Sequence, residues 1–158
     1  LGSHLIKHPE TSAISYANKQ LLIQQSFKTT MMTYTQFNVL VWALRLIAAG
    51  ILLQTLFFEF TAAPESVYIF SKLGLEPWGR IGIGSLELIA FVLVLIPRTT
   101  SYGSLLAVGI MAGALFSHLT KLGIVVQNDG GQLFILALIA FIACGLLLFI
   151  FRKQNFLS

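Results

Sequence analysis

The sequence predicts an all-α integral membrane protein, a four-helix bundle with a short interfacial helix in its first outer loop. Charged residues make up only 10% of the chain and apolar residues 56%, with a mean hydropathy of +0.84. A soluble domain would carry about 25% charged residues. Four apolar stretches, at 37–60, 78–96, 103–122 and 132–151, each come close to the roughly 20 residues that cross about 30 Å of hydrocarbon. They are continuous and rich in Leu, Ile, Ala and Gly, without the alternation of outer-membrane barrel strands.

Turn signals separate the stretches. Ala63-Pro64 closes the first, Pro97 closes the second ahead of Arg98-Thr99-Thr100-Ser101, and Asn128-Asp129-Gly130-Gly131 precedes the fourth. Residues 31–158 therefore read as one transmembrane domain. Residues 1–30 differ in character, holding Lys7, Glu10, Lys19 and Lys28 and no apolar run longer than three. They lack the apolar core of a signal peptide. Gly2-Ser3-His4 has the look of a cloning scar and Met31 or Met32 would serve as a start. The segment is thus expected to be a polar leader foreign to the domain, or a cytoplasmic surface segment with Leu21, Leu22 and Ile23 on the membrane.

The charge balance narrows the function classes. Net charge is +4, yet the ten Lys and Arg residues cluster only at Arg152-Lys153, which excludes a surface that tracks nucleic-acid phosphates. The single Cys144 excludes an internal disulfide, a CxxC redox pair and a cysteine zinc site. Lys28, Arg98, Arg152 and Lys153 fall on one side of the spans, and Lys72 and Lys121 on the other. By the positive-inside rule both termini face the cytoplasm of a multi-pass cell-membrane protein. In the first outer loop, Pro64 suits a first helical turn, Val67, Phe70 and Leu73 share one face, and Gly74 suits a helix end.

Ionisable residues inside spans are the most informative, because each costs about 2.5–3.5 kcal/mol at the centre of a helix unless paired or hydrated. There are five: Arg45, Glu59, Arg80, Glu87 and His118. Glu59 and Arg80 lie at the outer ends of the first two spans, where they can form an ion pair or each reach the headgroups. Glu87 lies about 13 Å from the outer face, too deep for a short carboxylate to escape. It must be protonated, hydrated or paired, and Arg45, entering from the opposite face, is the candidate partner. Otherwise Arg45 extends to the cytoplasmic phosphates. His118, near the outer end of the third span, can hydrogen-bond or exchange a proton. Arg45, Glu87 and His118 together define a candidate polar intramembrane pocket. No second membrane histidine is present for a bis-histidine haem, and no compact spacing suggests a metal. Gly79, Gly82 and Gly84 on the second span and Gly109 with Gly113, a GxxxG pair, on the third are expected where helices approach closely, and Asp129 as a helix cap.

In its order of features the chain from about residue 44 to 152 resembles the DoxX-like family of small four-helix membrane proteins. The resemblance rests on Leu44-Arg45-Leu46, Lys72-Leu73-Gly74, Gly84-Ser85-Leu86-Glu87-Leu88, Ile96-Pro97-Arg98-Thr99-Thr100, Ser117-His118-Leu119 and Asp129-Gly130-Gly131. It implies association with membrane oxidoreductase complexes, including quinone-linked ones. It brings no catalytic assignment. The leading expectation is a membrane subunit of such a complex, with quinone as its cofactor and a partner oxidoreductase subunit or a second copy of the chain as its partner. The alternatives are a small transporter or permease working through Glu87, and a non-catalytic anchor for a partner enzyme.

Overall fold

The computed structural model describes residues 9–155. The order of elements is α1 (Pro9–Phe60), α2 (Pro64–Leu73), α3 (Trp78–Leu95), α4 (Thr100–Ser117), a π turn (His118–Leu122) and α5 (Gln132–Asn155). Among these residues there is no strand, and four helices are long and apolar enough to cross a membrane. The protein is an all-α, multi-pass membrane bundle.

Two compact units divide the chain, 1–40 and 41–158. In the first, residues 1–8, including the Gly2-Ser3-His4 motif, lie outside the described residues. From Pro9 onward the predicted leader is helical and belongs to the same helix, α1, as the first span. Its threonines turn inward on the backbone: the hydroxyls of Thr29 and Thr33 donate to the carbonyls of Gln25 and Thr29.

The second unit has its core along one axis of contact between α1, α3, α4 and α5. Leu52, Val94, Ala107, Met111, Ala140, Cys144 and Leu147 are almost wholly buried there. Large apolar residues on the opposite faces, among them Leu53, Phe57, Leu86, Ile89, Ile142 and Phe149, are exposed. A helix that is apolar on both its packed and its open face is one whose solvent is lipid. Close helix contact rests on alanines, with Ala48, Ala90, Ala107, Ala137, Ala140 and Ala143 all buried. This corrects the expectation placed on Gly109 and Gly113. A Cβ added at either would meet nothing within 4 Å, so neither is a contact point.

The glycine that lets backbone approach backbone is Gly103. A Cβ there would stand 2.6 Å from the Val94 nitrogen and 2.7 Å from the Leu93 carbonyl carbon. The turn that brings α4 onto α3 is closed by threonines. Ile96 is extended, with φ −80° and ψ 119°, as a residue before proline tends to be. Carbonyls left open at the end of α3 are then met by hydroxyls: Thr99 donates toward Leu93 at 3.0 Å and Thr100 toward Ile96 at 3.0 Å.

The loop after α1 folds as its pattern predicts. α2 begins on Pro64 and ends at Gly74, whose φ of 76° and ψ of 24° are left-handed. Gly74 N–H donates to the Ser71 carbonyl and Leu75 N–H to the Phe70 carbonyl, the paired bonds of a Schellman cap. The substitution Gly103→Ala is expected to lower unfolding stability by about 1–3 kcal/mol, because backbone must shift to admit the methyl. Gly109→Ala should stay within about 0.5 kcal/mol of the parent; thermal unfolding of the two variants in detergent compares them.

Candidate functional site

The half of the second unit that carries α2, called its outer half here only as a label, opens into a cavity of about 630 Å³. α1 contributes Thr55 and Glu59 to its wall, α2 Ser66 and Phe70, and α3 Glu87; α4 and the π turn add Ser117 and His118. The loop before α5 adds Asn128 and Asp129. Gly109 and Gly113, open on their Cβ side, line it too. Their lack of side chains leaves room for the cavity. The inner half packs; the outer half does not.

Glu87 enters from α3, nine residues beyond Trp78, or about 13 Å along the helix. Its Oε2 lies 2.6 Å from the Thr55 hydroxyl of α1, which donates to it. That hydroxyl also lies 3.2 Å from the Ile51 carbonyl, but one O–H serves one acceptor fully, and the shorter contact is to the carboxyl. Thr55 precedes Glu59 by four residues, so the two share a face of α1. Sequence reading missed Thr55, although this i, i+4 spacing from an intramembrane carboxylate was available as a signal.

Glu59 is only 7% exposed, and its Oε2 has no hydrogen-bond partner. It fits because Gly84 lies beneath it: a Cβ on Gly84 would stand 2.8 Å from that oxygen. The side-chain ion pair expected between Glu59 and Arg80 is replaced by another arrangement. Arg80 Nε and Nη2 donate to the Glu76 carboxylate at 3.0 and 2.8 Å, while Nη1 donates to the backbone carbonyl of Glu59. Glu76 stands four residues before Arg80, in the turn that leads into α3, so the pair is local in the chain. The guanidinium thus holds the end of α1 through the Glu59 backbone rather than through its side chain.

Arg45 does not line the cavity. Its guanidinium carbon stands 5.0 Å from the ring centre of Trp42 and 5.1 Å from that of Phe151, in a cation–π arrangement. Depth accounts for the difference from the expected Arg45–Glu87 pair. Arg45 lies fifteen residues before the end of α1, about 22 Å along the helix, whereas Glu87 is about 13 Å from the same side. Glu87 finds a nearer partner in Thr55. Of the residues singled out in the sequence, the cavity brings together Glu87 and His118, adds Glu59, and leaves Arg45 and Arg80 outside.

His118 opens the π turn and is held from both sides by one residue. Gly123 N–H donates to the His118 carbonyl at 2.9 Å, closing a bond five residues long, and the Gly123 carbonyl lies 2.8 Å from Nδ1. A carbonyl only accepts, so Nδ1 carries the proton, and in the neutral ring Nε2 is the acceptor. Gly123 takes φ 84° and ψ 170°, a region open essentially to glycine alone. π turns occur often at functional sites. The apolar periodicity of the third span gives no sign of this one.

The loop before α5 turns on left-handed residues, including Asn128 at φ 68°. Asp129 anchors it. Its Oδ1 accepts from the amides of Val126 and Gly131 at 2.8 and 2.9 Å, and its Oδ2 from Leu133 at 3.0 Å. It therefore caps the first turn of α5 from within the loop, ahead of the position next to the helix. Partial burial by itself raises the Asp129 carboxyl, but the three amides outweigh it and hold the group below its ordinary value of 3.8.

No family model matches the chain, and neither a curated protein nor a solved structure matches it.

Replacing Asp129 by Ala should cost about 1–2 kcal/mol, the value of a lost helix cap. Since the folded carboxyl titrates below its unfolded value, its contribution is full above about pH 4 and is lost as pH falls through the lower folded value. Unfolding measured at pH 7 and again at pH 3 should show the gap between parent and Asp129→Ala narrowing in acid.

Proposed function

We propose that this chain is a DoxX-like membrane protein, acting as the membrane subunit of a quinone-linked oxidoreductase complex, with the outer-half cavity as its carrier site. The observation that supports the reading is the cavity itself: about 630 Å³ of space in which Glu59, Glu87 and His118 stand with apolar side chains and with further polar groups such as Gln54, Asn128 and Gln132. Sites for small ligands fall in this size range and combine apolar lining with polar groups that fix orientation. A quinone ring needs a flat apolar slot, hydrogen bonds at its two oxygens and a route for protons. Phe70, Ile110 and Met111 supply apolar surface, while Glu87 and His118 supply groups that exchange protons. Arg45, on this account, belongs to the fold of the inner half rather than to the site.

The distribution of basic residues favours both termini in the cytoplasm of a cell-membrane protein, so the cavity faces the outer side. The catalytic chemistry of the complex then belongs to a partner oxidoreductase subunit. A permease is the second reading, favoured by the depth of Glu87, since an intramembrane carboxylate is a common element of ion and proton pathways.

Glu87 separates function from stability. Removing an ionisable group from this depth relieves a cost of about 2.5–3.5 kcal/mol on insertion scales, and Thr55 retains a backbone acceptor at Ile51. Glu87→Leu is therefore expected to be at least as stable as the parent to heat. Native mass spectrometry of protein extracted from membranes should find quinone retained by the parent and absent from Glu87→Leu. A parent that retains none would count against the reading. Flux of a solute into proteoliposomes that stops in Glu87→Leu would favour the permease.

A further inference from the structure

Five of the six acidic residues, Glu59, Glu65, Glu76, Glu87 and Asp129, belong to the half of the second unit that carries α2, and the sixth, Glu10, to the first unit. The other end of the second unit is basic. Arg98 follows α3 there, Arg152 lies near the end of α5, and Arg45 is packed into the bundle at 3% exposure. An arginine stays charged and carries five N–H donors. The rings of Trp42 and Phe151 attract the Arg45 charge but offer its N–H groups no oxygen acceptor. Its Nε is enclosed without a hydrogen-bond partner, and its two Nη atoms, equally unbonded, are left at the surface. Among the described residues no carboxylate pairs with it. A buried charge without a counter-charge is costly, and a ligand that brings one removes the cost.

Depth places this charge near a headgroup layer. Phe151 stands nineteen residues beyond Gln132 in α5, about 28 Å along the helix, against about 30 Å for the hydrocarbon layer. The guanidinium beside Phe151 is therefore within reach of lipid phosphates rather than at the centre of the membrane. Trp42, three residues before Arg45 on α1, is 47% exposed. Indoles favour this level of a membrane, and the Trp42 N–H is a further donor.

We propose that Arg45 seats the phosphate of an anionic phospholipid at the end of the bundle away from α2. The guanidinium donates to the phosphate oxygens in charge-assisted hydrogen bonds, and the lipid supplies the counter-charge that the chain lacks there. A zwitterionic headgroup would bring its ammonium among Arg98 and Arg152, so an acidic headgroup is preferred. The site lies apart from the cavity and does not depend on what the cavity carries.

Titration of the full chain, freed of lipid in detergent, with dioleoylphosphatidylglycerol or dioleoylphosphatidylcholine tests the proposal, with bound lipid counted by native mass spectrometry. The parent should bind phosphatidylglycerol at least about tenfold more tightly than phosphatidylcholine. Arg45→Met keeps an apolar chain of similar length without the charge and should lose that preference. Arg152→Gln removes an exposed charge from the same end and should change it by about fivefold at most. Equal binding of the two lipids by the parent, or an undiminished preference in Arg45→Met, would overturn the proposal. Inorganic phosphate that raises the melting temperature of the parent as far as the lipid does would overturn it in favour of a soluble anion. The parent comparisons decide the question even if Arg45→Met fails to fold.

Discussion

A carboxyl group set deep in a hydrocarbon layer needs polar company, and the outer half of this bundle is arranged around that need. Three of the ionisable groups there have a local answer. Glu87 takes the Thr55 hydroxyl, Arg80 takes Glu76, and His118 takes the carbonyl of Gly123. Glu59 is left with one oxygen unpartnered beside an open space. Filling the centre of the outer half with side chains, as the inner half is filled, would leave these groups in a dry environment where their cost is highest. The cavity and the buried carboxylates are therefore two aspects of one arrangement.

Stability is drawn from the other half. Alanines at the helix contacts and the close approach at Gly103 let α3, α4 and α5 pack tightly, and van der Waals packing is the main attraction between helices when lipid is as apolar as the side chains. Arg45 belongs to this half, its guanidinium between Trp42 and Phe151. Over the outer half, α2 supplies cover. Its Schellman end brings Phe70 and Leu75 together, and both face the cavity. The short helix thus turns an open end of the bundle into a walled site.

Much of the fold was legible because a bilayer restricts the choices so severely. Apolar runs of spanning length give the four helices, and Pro64 with Gly74 bounds α2. Glu87 and His118 stood out because rarity inside a span is itself a signal. What could not be read depended on relative depth and rotation. Arg45 and Glu87 both point toward mid-membrane from opposite sides, and only the packed helices show that hydroxyl and ring partners lie closer. Thr55 looked like one more tolerated hydroxyl. The glycines that matter, Gly84 under Glu59 and Gly103 against α3, cannot be told from Gly109 and Gly113 by spacing, because a GxxxG pattern marks a smooth face without saying what stands opposite. The π turn at His118 depends on one backbone conformation at Gly123 and leaves no periodic trace.

On this account the half of the bundle that carries α2 holds a polar cavity open to water rather than a lipid-filled or packed interior. Reactivity of single cysteines measures this directly, because thiols react as thiolates, which form in a polar cavity and not in hydrocarbon. In a Cys144→Ala background, Gly113→Cys lies in the cavity wall with open space at its Cβ, and Ile142→Cys lies on the lipid-facing side of α5 at 52% exposure. The account predicts that a water-soluble methanethiosulfonate reagent modifies Gly113→Cys at least about tenfold faster than Ile142→Cys. Equal, slow modification at both positions would contradict it.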